Sequence, residues 1–139
     1  MSLSIRNQLL GTVTAVTPGE AMATVKVRLT GGQDLTAAIT LEAAEDLGLA
    51  TGSAVRALVK STEVALATAP VERVSIRNQL PGTVTGIAAG GAMASVKIAV
   101  EGAELTSAIT SESVTDLGLS AGSAVFALIK STEVSLATD

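Results

Sequence analysis

Ser4-Ile5-Arg6-Asn7-Gln8-Leu9 returns unchanged as Ser75-Ile76-Arg77-Asn78-Gln79-Leu80. The likeness extends well past the hexapeptide. Residues 4–27 match residues 75–98 at 16 of 24 positions, and residues 35–68 match 105–138 at 24 of 34. The offset falls from 71 to 70 between these blocks, so the second copy has lost one residue near Gly31-Gly32 and Glu101-Gly102. A turn absorbs such a loss, whereas in a strand it would send every later side chain to the wrong face. The chain therefore reads as one small module made twice, 1–69 and 70–139. The link Ala69-Pro70-Val71-Glu72-Arg73 is short and carries a proline, as boundaries do. Two copies are too few for a solenoid, so two domains related by a pseudo-symmetry are expected.

Within a module the pattern is mostly that of strands. Gly11 to Val16 alternates, and Thr17-Pro18-Gly19-Glu20 is a turn. Thr24-Val25-Lys26-Val27-Arg28-Leu29 has period two, with Val25, Val27 and Leu29 facing a core. Gly31-Gly32 leads into a strand from Leu35 to Ile39. Thr40 then suits a helix N-cap, Glu42 and Glu45 the first turns, and Gly48 the C-cap. Thr110, Glu112 and Gly118 repeat this design. Strands Ala54 to Lys60 and Val64 to Ala67 close the module. The fold class is all-β with one short helix per domain. The order β-β-β-α-β-β is that of the OB-fold, a five-stranded barrel, here in tandem. An SH3-like barrel is the alternative, but it lacks the helix between strands three and four.

Composition narrows the chemistry. There is no cysteine and no histidine. The chain thus has no thiolate metal site, no cysteine nucleophile and no imidazole base or ligand. The start Met1-Ser2-Leu3-Ser4 is unlike a signal peptide, and no apolar run is long enough to span a membrane, so a cytoplasmic protein is expected. Apolar residues reach 47% against 16% charged, with a mean hydropathy of +0.53, which points to surface buried in an oligomer. A net charge of −4 argues against a binder of phosphate backbones, but a small anion site depends on local donors.

Three donor-bearing segments recur: Ser-Ile-Arg-Asn, Ala-Ile-Thr at 38–40 and 108–110, and Lys-Ser-Thr-Glu-Val at 60–64 and 130–134. If the first is a strand, Ser4 and Arg6 share a face, as do Ser75 and Arg77. The second stands at a helix N-terminus, where free N–H groups favour anions. Arg6 and Lys60 would match the charge of a dianion, and an unprotonated tetrahedral dianion only accepts hydrogen bonds. Each residue also has a plainer role. Thr40 and Thr110 cap helices regardless, Lys60 and Lys130 end strands in solvent, and Arg6 and Arg77 have Glu63 and Glu133 as candidate partners. Taken singly, the plainer role is the commoner one.

The joined motifs decide more. The Ser-x-Arg-Asn-Gln-Leu start, the Ala-Ile-Thr entry, Leu-Gly-Leu at 47–49 and 117–119, and the Ala-Leu-x-Lys-Ser-Thr-Glu-Val ending resemble the Mop domain, twice and in order. The chain is similar to the molbindins, cytoplasmic molybdate-binding proteins with tandem Mop domains. The resemblance implies OB-folds, a trimer of two-domain chains, and molybdate or tungstate bound at subunit interfaces for storage and homeostasis, without catalysis. It also implies the oxyanion-binding residues. One half-site is Ser4 with Arg6 and Asn7, or Ser75 with Arg77 and Asn78. The other is Thr40, Lys60 and Ser61, or Thr110, Ser113, Lys130 and Ser131. Ala43 stands where the second copy has Ser113, so the two kinds of pocket are expected to differ in affinity. Molybdate and tungstate are expected to bind alike and sulfate weakly.

Two other classes fit less well. An OB-fold module for single-stranded nucleic acid stacks bases on aromatic side chains over a basic groove. This chain has one aromatic residue, Phe126. An enzyme needs a nucleophile–base pair, and none is visible.

Overall fold

The computed structural model describes residues 3–138. The first repeat forms β1 (Asn7–Pro18), β2 (Met22–Leu29), β3 (Asp34–Thr40), α1 (Leu41–Asp46), β4 (Ala54–Val59) and β5 (Ala65–Ala67). The second forms β6 (Asn78–Ala89), β7 (Met93–Val100), β8 (Ala103–Thr110), α2 (Ser111–Asp116), β9 (Ala124–Ile129) and β10 (Ser135–Ala137). A 3-10 turn, Ser61–Glu63 or Ser131–Glu133, precedes each closing strand. The order β-β-β-α-β-β holds in both copies. The first strand is longer at both ends than its alternation suggested.

The sequence explains these elements locally. In β2 the alternation is complete, with Ala23, Val25, Val27 and Leu29 buried and the residues between them exposed. The β1–β2 register slips between Val13 and Ala15, and β6–β7 slips likewise between Val84 and Gly86. Such a bulge bends and twists a long strand, which lets the sheet curl. Gly11 permits the close approach of β1 to β2: a Cβ there would lie 2.5 Å from Val27 Cγ1 and 2.8 Å from the Arg28 carbonyl oxygen. On the outer face Arg28 Nε donates to Asp34 at 2.5 Å. That hydrogen bond holds the Asp34 carboxyl below its ordinary range. The stabilisation is present above the ordinary carboxylate range and is lost as pH falls through the lowered value. It is small, because both side chains are mostly exposed.

The strands form two antiparallel five-stranded sheets, in the orders β10-β4-β1-β2-β3 and β5-β9-β6-β7-β8. Each sheet curls until its outer strands touch, β3 with β10 and β8 with β5. The fifth strand of each therefore comes from the other repeat. Ser135, Leu136 and Ala137 pair with Leu58, Ala57 and Arg56, while Ala65, Leu66 and Ala67 pair with Leu128, Ala127 and Phe126. Val64 and Val134 cross over with these strands and are 1% and 2% exposed. One continuous hydrophobic cluster runs through both lobes.

Two more contacts tie the repeats together, the first inside the lobe of β8 and the second between the lobes. The buried Ser107 Oγ donates to the Val64 carbonyl at 2.6 Å, a bond the first repeat lacks because it has Ala37 there. The shortened turn of the second repeat meets the turn of the first. Gln33 Nε2 donates to the Glu101 carbonyl at 2.9 Å, and a Cβ on Gly31 would lie 2.0 Å from that same oxygen.

The exchange can be trapped, because the chain has no cysteine of its own. Paired residues of antiparallel strands have Cα separations within disulfide reach. Ala65→Cys with Leu128→Cys is expected to oxidise to an intrachain disulfide. Ala65→Cys with Leu58→Cys, the pairing of an unexchanged repeat, is expected to stay reduced. Intact mass under non-reducing conditions reads the result, and closure of the second pair alone would contradict the topology.

Candidate functional site

The opening segments are placed differently from expectation. β1 starts at Asn7 and β6 at Asn78, so Ser4, Arg6, Ser75 and Arg77 precede the strands. Strand alternation therefore does not bring Ser4 beside Arg6 or Ser75 beside Arg77, and the chain bends at Ser4 and Ser75. All four side chains are exposed. Arg6 Nη2 donates to the Leu3 carbonyl. Glutamines hold both segments in place: Gln8 Nε2 donates to Ile5 O at 3.0 Å and Gln79 Nε2 to Ile76 O at 3.1 Å.

Asn7 and Asn78 were expected to offer donors to an anion, and the structure uses their carboxamides elsewhere. Both residues are buried. Asn7 Nδ2 donates to Thr106 O at 2.9 Å, and Asn7 Oδ1 accepts from Thr106 N at 2.7 Å. Asn78 treats Thr36 in the same way, with both distances 2.8 Å. Each asparagine thus clamps the other repeat's third strand. A carboxamide carries a donor and an acceptor side by side, and so do the N–H and C=O of one strand residue.

The helix entries follow expectation in part. Thr40 Oγ1 accepts from Ala43 N at 3.1 Å, and Thr110 Oγ1 accepts from Ser113 N at 3.1 Å. Both threonines are exposed. The helices are only six residues long, so their axial dipoles are slight. Ser113 Oγ lies 2.7 Å from Thr110 Oγ1. One of the two hydroxyl protons is spent in that bond. The pair thus has one proton to offer, as Thr40 does alone, and the serine shifts and polarises a donor rather than adding one.

The closing segments supply the cations. Lys60 and Lys130 are exposed, and Ser61 and Ser131 half-buried. Among the described residues, the side chains of Lys60, Lys130 and Arg77 make no hydrogen bond or ion pair, and no arginine pairs with Glu63 or Glu133. Strand exchange also rearranges the expected grouping. The 3-10 turn carrying Ser61 packs against β8, the strand of Thr110, and the turn carrying Ser131 packs against β3, the strand of Thr40. Ser61 therefore belongs to the Thr110 lobe and Ser131 to the Thr40 lobe.

One hollow of about 250 Å³ gathers parts of all three motifs. Its walls include Ile76 from an opening segment, Ala108 and Ile109 just before Thr110, Lys130, and Thr62 to Ala65 from the first repeat. Ser75, Arg77 and Thr110 flank these wall residues in sequence and do not line the hollow themselves. Outside this hollow, each helix entry has an exposed neighbour that the sequence reading did not single out. Met22 pairs with Thr40 across β2–β3, and Met93 pairs with Thr110 across β7–β8. The signal was in the repeat, since both copies keep Ala-Met-Ala within otherwise divergent turns.

Comparison with known proteins shows the family and the fold. The TOBE domain family matches residues 3–66 and again 74–136. Molybdenum transport protein ModE of Azotobacter vinelandii is 41% identical over 138 residues, covering 99% of this chain and 51% of that protein. Molybdenum-pterin-binding protein MopB of Rhodobacter capsulatus is 42% identical over 136 residues, covering 96% and 50%. The chain thus spans about half the length of these curated relatives. A crystal structure of the cytoplasmic molybdate-binding protein ModG with molybdate bound superposes with a TM-score of 0.97 at 42% identity, covering 100% of both chains.

The asparagine clamps are expected to be worth more than surface contacts. Asn78→Ala leaves the Thr36 N–H and C=O without their partner, at a cost of about 2–4 kcal/mol. A lowered urea midpoint at unchanged slope is the expected result. A shift no larger than that of an exposed Thr→Ala change would contradict the clamp.

Proposed function

Since this chain belongs to the TOBE-domain family, with one such domain in each repeat, we propose that it binds molybdate as an intact tetrahedral dianion. The observation that carries this reading is the set of uncommitted donors. In a chain of net charge −4, Arg77, Lys60 and Lys130 stand exposed without a carboxylate partner among the described residues. Hydroxyls of Ser4, Ser75, Thr40 and Thr110 are exposed as well. Such donors suit an ion that only accepts hydrogen bonds. Charge-assisted hydrogen bonds contribute roughly 1.5–3 kcal/mol each, so a handful outweighs the cost of ordering the side chains.

The binding residues are Ser4, Arg6, Ser75 and Arg77 on one side, and Thr40, Lys60, Ser61, Thr110, Ser113, Lys130 and Ser131 on the other. Asn7 and Asn78 act by positioning the opening segments. A site is completed where the opening segment of one chain meets the helix entry and closing turn of another, in a trimer. The apolar composition supports assembly. Tungstate, of nearly the same size and equal charge, binds alike. The role is storage and homeostasis of molybdenum in the cytoplasm rather than catalysis. The likeness to ModG along the whole chain supports this reading, as does the lack of histidine and cysteine.

Calorimetry tests the residues. Arg6→Ala together with Arg77→Ala is expected to abolish molybdate uptake while the fold persists, because both side chains are exposed. Unchanged stoichiometry in that protein would overturn the site. The wild type is expected to show two classes of affinity, which Ala43→Ser draws together; a single class in the wild type would contradict the asymmetry.

A further inference from the structure

Met22 and Met93 are two of the few large apolar side chains left exposed, at 47% and 48%. They hold equivalent places in the two repeats, each directly across the sheet from a threonine assigned to the oxyanion site. In β2 the buried side chains are Ala23, Val25, Val27 and Leu29, so Met22 lies on the opposite, outer face. Thr40 is exposed on that same face. Directly opposed residues of an antiparallel pair have Cβ atoms about 4.5–5.5 Å apart, within reach of a long thioether.

The local backbone fixes this juxtaposition. Gly19 N donates to Met22 O at 2.7 Å, and Leu41 N donates to Ala21 O at 2.8 Å. The second repeat has the same two bonds, from Gly90 to Met93 and from Ser111 to Ala92, each 2.8 Å. The turns themselves differ, Thr17-Pro18-Gly19-Glu20 against Ala88-Ala89-Gly90-Gly91, yet the methionine is unchanged. An exposed methionine beside a hydroxyl donor has no use in the core of either lobe.

We propose that Met22 and Met93 are specificity-determining residues, forming an apolar wall beside each oxyanion that discriminates against smaller, more strongly hydrated anions. This rests on the molybdate reading above. The wall offers no hydrogen bond, so an anion set against it sheds water on that side without replacement. The cost of removing a charge from water grows as the ion gets smaller. Sulfate has the same charge as molybdate on a smaller body and therefore loses more. The thioether is also soft and polarisable, and it adapts its shape to the larger ion.

The test compares molybdate and sulfate affinities by calorimetry in the wild type, in Met22→Asn/Met93→Asn and in Met22→Leu/Met93→Leu. The asparagine protein offers replacement hydrogen bonds, and its preference for molybdate over sulfate is expected to fall about tenfold. The leucine protein keeps an apolar wall and is expected to retain the preference. Molybdate binding with an unchanged preference in the asparagine protein would overturn the inference alone. A wild type that binds no molybdate would overturn the functional reading and this inference with it.

Discussion

The closing strands β5 and β10 cannot leave the other repeat's sheet without opening both cores. Val64 and Val134 are buried on the far side of the crossing, and one hydrophobic cluster runs through both lobes. Each repeat has 70 residues or fewer, a size at which one core gives little margin. Exchange merges two marginal cores into one cooperative unit. The asparagine clamps act in the same direction. Asn7 and Asn78 each close the backbone pairing of the other repeat's third strand, and they sit one residue after Arg6 and Arg77. The contacts that join the lobes thus also set where the cationic donors emerge.

That coupling explains why so polar a set of residues is found in so apolar a chain. The interior is made of Val, Leu, Ile and Ala, with Asn7, Asn78 and Ser107 as the buried polar residues among those described, each hydrogen-bonded to the other repeat. The donors proposed for an anion lie on the outside, at strand ends and turns, where the scaffold fixes the backbone and the side chains are exposed. Preorganising the backbone while leaving side chains uncommitted reduces the ordering cost of binding.

Much of this was legible in the residues. Period-two alternation located β2, the threonine, acidic and glycine positions located the helices, and duplication halved the problem. Strand exchange was not legible. Val64-Ala65-Leu66-Ala67 and Val134-Ser135-Leu136-Ala137 are nearly the same, so either closing strand fits either sheet. The grouping of Ser61 and Ser131 was misassigned for that reason. The shared face of Ser4 and Arg6 depended on their lying in a strand, and so short a segment does not show where pairing begins. Asn7 and Asn78 were read as anion donors because a carboxamide serves an anion and a backbone equally well. A donor inventory identifies what a residue offers, and only the fold shows what takes it.

The central claim is that these exposed donors gather oxyanions between assembled copies of the chain. Native mass spectrometry, with and without molybdate, addresses assembly and uptake in one experiment. The account predicts a trimer that gains several ions of molybdate mass. A species of any size that takes up no molybdate would contradict it, leaving the exchanged barrels without the function assigned to them.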